Sequence, residues 1–420
     1  MSAKPKSRLL FVVTVLLYIS FGLLTSVIGV IIDRFENDYN VSLSIAALLP
    51  FAFYVAYGLT SVPFGLAMDK FGAKRILLLG TLLMALGSFL CFISSNYLVV
   101  ILVIFLVGVG VTAIQVAGNP FIRELDKPDN YTANLTIIIG IGSLGYAFSP
   151  LLVPIMQANG FSWKTVYLLF GFFNTVLLIV LAMASFPRVK LNEEEKINYS
   201  SIGLLLKHPV IITYSLGIFL YVGAEVGVSS YIIIYMNRIH GVINSQSFWA
   251  EGTFMNAIFP SKTALVVALF WLLQAMGRLI ISVMMRYFSE KKIFIFHSLG
   301  TVLALLVAIT GNANTALVAF ALVGYFTCAS FTSIFSAAIN SFGEYHGTIS
   351  GILGTAIVGG AFLGWLVGFT GQHAGMKWGM AVNVVAFLYV TVLALWGKGK
   401  LDIGRIREAN SNAEADIRNY

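Results

Sequence analysis

The chain has 420 residues, of which 58% are hydrophobic and only 10% charged, and its mean hydropathy is +0.89. A soluble globular domain carries roughly a quarter charged residues, so a water-soluble fold is excluded, and no polar stretch is long enough to build a separate soluble domain. Nor does the net charge of +8 point to nucleic acid, because the cations lie in short loops and tails between apolar runs.

About twenty apolar residues cross a bilayer. That rule predicts spans near 9–32, 44–68, 75–94, 97–121, 134–156 and 165–186, then near 209–236, 261–286, 292–311, 314–340, 347–370 and 374–397. The first run is too long for a cleaved signal peptide, and no small-x-small site follows it. The pattern is an all-α membrane protein of twelve transmembrane helices in two halves of six. Residues 1–186 form the first half, 187–207 a polar linker, 208–397 the second half and 398–420 a charged tail. Cys91 and Cys328 lie inside apolar runs and read as small buried hydrophobes.

Charge sets the expected orientation. With both termini in the cytoplasm, 20 of the 26 cations fall on the inner side. Only Arg34, Lys164, Arg238, Lys262 and Lys377 fall outside, and Arg278 lies within a span. Positive residues favour the cytoplasmic side. The Asn130 and Asn134 sequons then face the cytoplasm and are not glycosylation sites.

Between the second and third spans lies Gly65-Leu-Ala-Met-Asp-Lys-Phe-Gly-Ala-Lys-Arg75. Gly65 allows close helix approach and Gly72 a turn with positive φ. Asp69 suits a neighbouring helix N-terminus, with Lys70, Lys74 and Arg75 holding the hairpin in the cytoplasm. Met285-Arg-Tyr-Phe-Ser-Glu-Lys-Lys292 closes the eighth span in a similar way but lacks the acid. Two halves related by an axis along the membrane normal, with a site between them near mid-bilayer, would produce this pairing.

An ionisable group at bilayer depth is costly and marks a functional candidate. Glu225 sits in Tyr221-Val-Gly-Ala-Glu-Val-Gly-Val-Ser-Ser-Tyr231, mid-span. Desolvation disfavours the charged form of such a carboxyl, which suits it to take up and release a proton. The alternative is a structural carboxyl bonded to a neighbouring helix. Arg278 either pairs with a carboxylate or holds helix termini, the structural role being the simpler one.

The fourth span carries Gln115-Val-Ala-Gly-Asn-Pro-Phe-Ile122. Pro120 removes a backbone donor there. Gln115 and Asn119 share a helix face, and amides both donate and accept, as a polyhydroxylated ligand requires. Interhelical bonding is the competing role. Trp271 and Gln274, three apart, line one face of the eighth span. Together with Trp365 they are further candidates for a sugar site, against simple packing. No nucleotide loop, metal spacing or Ser/His/carboxylate set is present, and the histidines fall mostly at helix ends or in loops. No cofactor and no enzyme activity are expected.

The 65–75 hairpin resembles the loop between the second and third helices of the major facilitator superfamily. The 115–122 run, Tyr221 to Val226, the Trp271 to Arg278 stretch, Phe331-Thr-Ser-Ile-Phe335 and Ala356-Ile-Val-Gly-Gly-Ala361 are similar to the fucose–galactose–glucose:proton symporters. The glucose/galactose branch is the nearer, because it has Gln and Glu at the positions of Gln115 and Glu225. The resemblance implies the major facilitator fold and a multi-pass protein of a bacterial inner membrane. It further implies monomeric, proton-coupled import of a neutral sugar or polyol, with sodium the other possible ion. Glu225 would couple the proton. Gln115, Asn119, Asn134, Tyr221, Trp271, Gln274 and Trp365 would contact substrate. Gly65, Asp69, Gly72, Arg75, Pro120 and Arg278 would gate or support.

Two departures stand out. Gly29 occupies the place of a first-helix Asp in the fucose branch. The fifth helix reads Asn134-Leu-Thr-Ile-Ile-Ile-Gly-Ile-Gly142, keeping Asn134 without the amides that line the family's sugar site. Fewer amides favour a less selective site or a greasier ligand, so a proton-driven exporter of an amphipathic molecule is the second reading.

Overall fold

The computed structural model of the chain describes residues 5–124, 131–186, 207–243, 246–284, 287–341 and 346–396. A bilayer core offers backbone N–H and C=O groups no partner, so each span must satisfy itself as a helix. Twelve helical spans are long and apolar enough to cross. In the first half they are α1 (Pro5–Asp38), α2 (Leu48–Phe71), α3 (Ala73–Ile93), α4 (Tyr97–Glu124), α5 (Tyr131–Ala158) and α6 (Thr165–Met183). In the second half α7 (Pro209–His240), α8 (Lys262–Met284) and α9 (Glu290–Thr310) are continuous. The tenth span, α10, runs Ala313–Thr327 and resumes at Ser330–Asn340. The eleventh, α11, runs His346–Thr355, tightens to a 3₁₀ turn at Ala356–Val358 and continues as Gly359–His373. Met376–Trp396 forms α12. Residues 187–206 of the expected linker, the tail after Trp396, and Met285 and Arg286 of the second hairpin motif lie outside the described residues.

Neither break contains a proline. Conversely, α4 runs on through Pro120 to Glu124, and α2 and α5 continue past Pro63, Pro150 and Pro154. The interrupted backbone therefore lies in the tenth and eleventh spans, away from the one place where the sequence offers a proline among candidate site residues. Neighbouring helices tolerate prolines in membranes by closing around the lost bond.

Small residues set the packing. Without water to drive helices together, association depends on close backbone approach. A Cβ on Gly80 would lie 2.8 Å from the Gly110 carbonyl, and one on Gly110 2.7 Å from the Gly80 carbonyl, so α3 and α4 touch backbone to backbone. On α10, Gly324 lies closer still to the Phe270 carbonyl of α8, and on α11 Gly359 abuts the Phe219 carbonyl of α7. The two halves meet where α2 faces α11, α5 faces α8 and α1 faces α7.

The α2–α11 seam is closed at one end only. A Cβ on Gly58 would meet Val358 at 2.8 Å, one on Gly360 Tyr54 at 2.8 Å, and one on Gly368 Ala47 at 2.6 Å. Two turns past Gly58, Gly65 meets nothing within 4 Å, and neither does Gly354 on α11. The close approach expected at Gly65 is thus not made; the helices have already separated there. The open end is the one where α1 begins and α12 ends. At the other end Arg238 of α7 donates to Glu36 of α1 at 2.5 Å, and the Ser44 N–H donates to Gln372 Oε1 at 2.7 Å. Gly29 packs against the Ser230 backbone, 2.7 Å from where its Cβ would stand. Any side chain there would wedge α1 from α7, which accounts for glycine at this position.

Gly324→Ala places a methyl against the Phe270 backbone and is expected to cost about 1–3 kcal/mol by overpacking. Gly354→Ala points into open space. Thermal unfolding in detergent should show a clearly lower midpoint for the first variant and none for the second.

Candidate functional site

Tyr221 and Glu225 stand four apart on α7 and so share a face. Gln274 reaches them from α8 and Thr327 from the end of the first segment of α10. The Tyr221 hydroxyl donates to Glu225 Oε1 at 2.5 Å and lies 3.1 Å from the Thr327 carbonyl. Gln274 Nε2 donates to the same carboxylate oxygen, and to Thr327 Oγ1 at 3.2 Å. Tyr221 and Gln274 are buried. Two neutral donors, one from α7 and one from α8, thus meet one carboxyl, and α10 ties both of them through Thr327.

Arg278 lies one turn beyond Gln274 on α8. Its charge is felt at Glu225, Tyr221 and Cys328. The ion pairs among the described residues are Arg34–Asp33 and Arg238–Glu36, so Arg278 acts on Glu225 at a distance rather than by contact.

Trp271, three residues before Gln274, faces the other half. Its ring centroid lies 4.7 Å from that of Tyr146 on α5, and Tyr146 in turn meets Phe21 of α1 edge-on at 5.5 Å. Tyr54 and Tyr57 of α2 stack at 6.1 Å. Tyr54 interacts electrostatically with Tyr146 and Glu225, and Tyr57 with Tyr146 and Tyr18. Four buried or half-buried tyrosines of the first half therefore form one group, of which Tyr54 and Tyr146 lie within electrostatic reach of Glu225. None was singled out from the sequence. Their signal was position: Tyr54 and Tyr57 three apart in mid-span, and Tyr146 in an otherwise apolar α5.

The remaining candidates divide. Gln115 is half-buried on α4, three residues before Gly118, where an added Cβ would stand 3.0 Å from the Tyr18 ring. Its Oε1 has no partner among the described residues. Trp365 stacks on Phe369 of its own helix at 4.9 Å, with exposed Phe362 and Leu366 beside it. Gly72 turns the α2–α3 hairpin with φ +81. Arg75 is exposed. The cation that makes contacts is Lys74, whose Nζ donates to the Ala182 and Ala184 carbonyls at 3.0 and 2.7 Å and so caps α6. The side chains of Asp69, Asn119, Pro120 and Asn134 lie outside those described. Unlike the other histidines, which sit at helix ends, His297 is fully buried inside α9, 3.6 Å from Cys328 Sγ.

A second concavity, about 490 Å³ between α9 and α10, is lined by Phe296, Leu299, Leu303, Val307 and other apolar groups. Several of these are exposed at span depth. It belongs to the lipid-facing surface.

Residues 10–261 match the Major Facilitator Superfamily. The chain belongs to that superfamily. It is 27% identical over 395 residues to the glucose/galactose transporter of Brucella abortus biovar 1 (strain 9-941), covering 91% of this chain and 92% of that one. It is 22% identical to the L-fucose-proton symporter of Haemophilus influenzae, covering 92% and 95%. The Escherichia coli fucose:proton symporter FucP, solved in the outward conformation, superposes with a TM-score of 0.66 at 18% identity over 93% of this chain and 99% of that one. Family and fold are those of transporters rather than enzymes, in a multi-pass protein of a bacterial membrane.

Gln274→Leu removes one of the two donors that hold the Glu225 carboxyl. Leaving a buried acceptor under-satisfied costs about 1–3 kcal/mol. The expected result is a lower unfolding midpoint than the parent chain and the Gly354→Ala control show, read by thermal denaturation in detergent.

Proposed function

We propose that the chain is a secondary transporter that imports a small neutral sugar or polyol together with a proton, by alternating access. The observation that carries this reading is the Glu225 carboxyl, held at mid-span by Tyr221 and Gln274 beside an aromatic seam between the halves. Residues 1–186 and 208–397 act as the two rocking bodies, joined through 187–207, with both termini in the cytoplasm by the positive-inside rule. On that orientation the open α2–α11 seam faces inward. One chain supplies both faces of the site, so a monomer suffices.

Several features support a sugar. Tyrosine and tryptophan faces suit C–H surfaces, while hydroxyls and amides both donate and accept. Tyr54, Tyr57 and Tyr146 stand in for the amides that the fifth helix lacks, and Gln115 offers an unused acceptor. Asn119 and Asn134 remain proposed contacts, as does Trp365 for a state in which α11 has moved. The printed names of the relatives, glucose/galactose transporter and L-fucose-proton symporter, point the same way.

The donor set favours a proton over sodium. Sodium needs several converging oxygens, whereas Glu225 receives N–H and O–H donors and lies within the field of Arg278. Asp69, with Arg75, is proposed as a latch that engages once the inner end closes. Pro120 and Gly72 serve the helix and hairpin that carry it.

One pH unit is worth 1.36 kcal/mol, so each coupled proton concentrates substrate about tenfold per unit of gradient. Glu225→Gln is expected to keep counterflow of substrate across the membrane while accumulation driven by a proton gradient falls to equilibrium. Equal loss of both activities would make Glu225 a structural or sugar-binding group.

A further inference from the structure

The Tyr221 hydroxyl has one hydrogen and two acceptors within reach. Glu225 Oε1 is at 2.5 Å and the Thr327 carbonyl at 3.1 Å. Thr327 is the last residue of the first segment of α10, and the carbonyls that end a helix lack intrahelical donors. At bilayer depth water does not supply one. We propose that Tyr221 is a coupling switch, its hydroxyl hydrogen passing between Glu225 and the Thr327 carbonyl so that proton binding at Glu225 is transmitted to the break in α10.

This rests on the reading of Glu225 as the proton carrier. When the carboxyl is charged it is acceptor-only and holds the Tyr221 hydrogen, as well as a Gln274 donor. Once a proton binds, the carboxyl gains an O–H of its own and donates to the Tyr221 oxygen. The Tyr221 hydrogen then turns to the Thr327 carbonyl. No bond other than the carboxyl O–H forms, and no donor is lost. The ring itself does not need to move. Phe331 and Phe387 flank it with centroids at 6.4 and 6.5 Å.

The carbonyl on which the switch acts is placed to matter. Past the break, Ser330–Asn340 packs on α7 and on the first segment of α11, His346–Thr355, which contacts α2 and carries Gly354 at the open end of the seam. Tying or freeing the break therefore biases the segments that open or close that end. A change of bond partner at one hydroxyl has a mechanical route to the gate. The groups facing Glu225 are few: Tyr221 on its own helix, Gln274 and Arg278 from α8, Tyr146 from α5 and Tyr54 from α2. Of these, only Tyr221 and Gln274 also contact Thr327. Gln274 bonds to the Thr327 side chain; Tyr221 alone bonds to its backbone. Tyr221 is thus a positioning residue for proton coupling, in place of the sugar contact expected of it from the sequence.

The test compares Tyr221→Phe with Glu225→Gln, each as the full chain in proteoliposomes, using labelled D-glucose, D-galactose and L-fucose. The switch predicts that Tyr221→Phe keeps counterflow with an unchanged KM, loses gradient-driven accumulation, and flattens the pH profile of exchange. A donor-bearing ring in Tyr221→His should restore part of the accumulation. A transport-independent readout is the maleimide reactivity of a cysteine placed at Gly354, in the open seam; the native Cys91 and Cys328 are buried. With Tyr221 present that reactivity should change with pH, and with Phe it should not. If Glu225→Gln is uncoupled but Tyr221→Phe accumulates sugar and responds to pH like the parent, the switch is overturned and the carboxyl reading stands. A raised KM in Tyr221→Phe with coupling intact also overturns it, making Tyr221 a sugar contact. If both variants stay coupled, the Glu225 reading itself has failed and the switch falls with it.

Discussion

The arrangement depends on what it takes to keep one carboxyl at bilayer depth. An ionised carboxylate cannot be left there without donors, and a partly satisfied polar network is worse than an apolar core. The chain meets that demand by converging α7, α8 and α10 on Glu225, with Tyr221 and Gln274 donating to it and Thr327 tying both to the next helix. The convergence needs α10 and α8 in close contact, which Gly324 against the Phe270 backbone permits. It also needs an interrupted helix, because a continuous α10 would spend the Thr327 carbonyl on its own ladder. Chemistry and packing in the second half are therefore one requirement.

The first half contributes a different surface. Among the described residues it brings no ionised group opposite Glu225 but a set of tyrosines, Tyr18, Tyr54, Tyr57 and Tyr146, one of which touches Trp271 across the seam. Rings give area without charge, and hydroxyls give polarity without the cost of burying an ion. On the proposed reading this division of labour separates proton handling from substrate contact while keeping the two within electrostatic reach, Tyr54 and Tyr146 both interacting with Glu225. The seam is shut by Arg238–Glu36 and by tight glycine contacts at one end and opens past Gly58 at the other. Such one-sided closure is one of the two states that alternating access requires.

Much of the fold was legible because apolar run length measures bilayer thickness directly. All twelve spans lie where hydropathy puts them, with ends shifted by a few residues, and Gly72 has the positive φ that its turn demands. Glu225 and Gln274 were legible for the same reason: a polar side chain in an apolar run has few bland explanations. The helix breaks were not, since Thr327-Cys-Ala329 and Ala356–Val358 contain no proline and their interruption follows from tertiary bonds such as Tyr221 to Thr327. The prolines that are present, Pro63 among them, leave their helices running. The first-half tyrosines, Tyr18, Tyr54, Tyr57 and Tyr146, were invisible to a search for amides and charges. Gly65, by contrast, has open space around it among the described residues, because sequence does not distinguish small residues at the open end of a seam from those at its closed end.

The most direct test of the account is uptake by the purified chain in proteoliposomes of labelled D-glucose, D-galactose and L-fucose, with an inward proton gradient imposed and then collapsed. The account predicts that at least one of these sugars accumulates above its outside concentration while the gradient lasts and runs back down when it is removed. Absence of any gradient-dependent movement of all three, in a preparation that expels an amphipathic cation or dye under the opposite gradient, would contradict it.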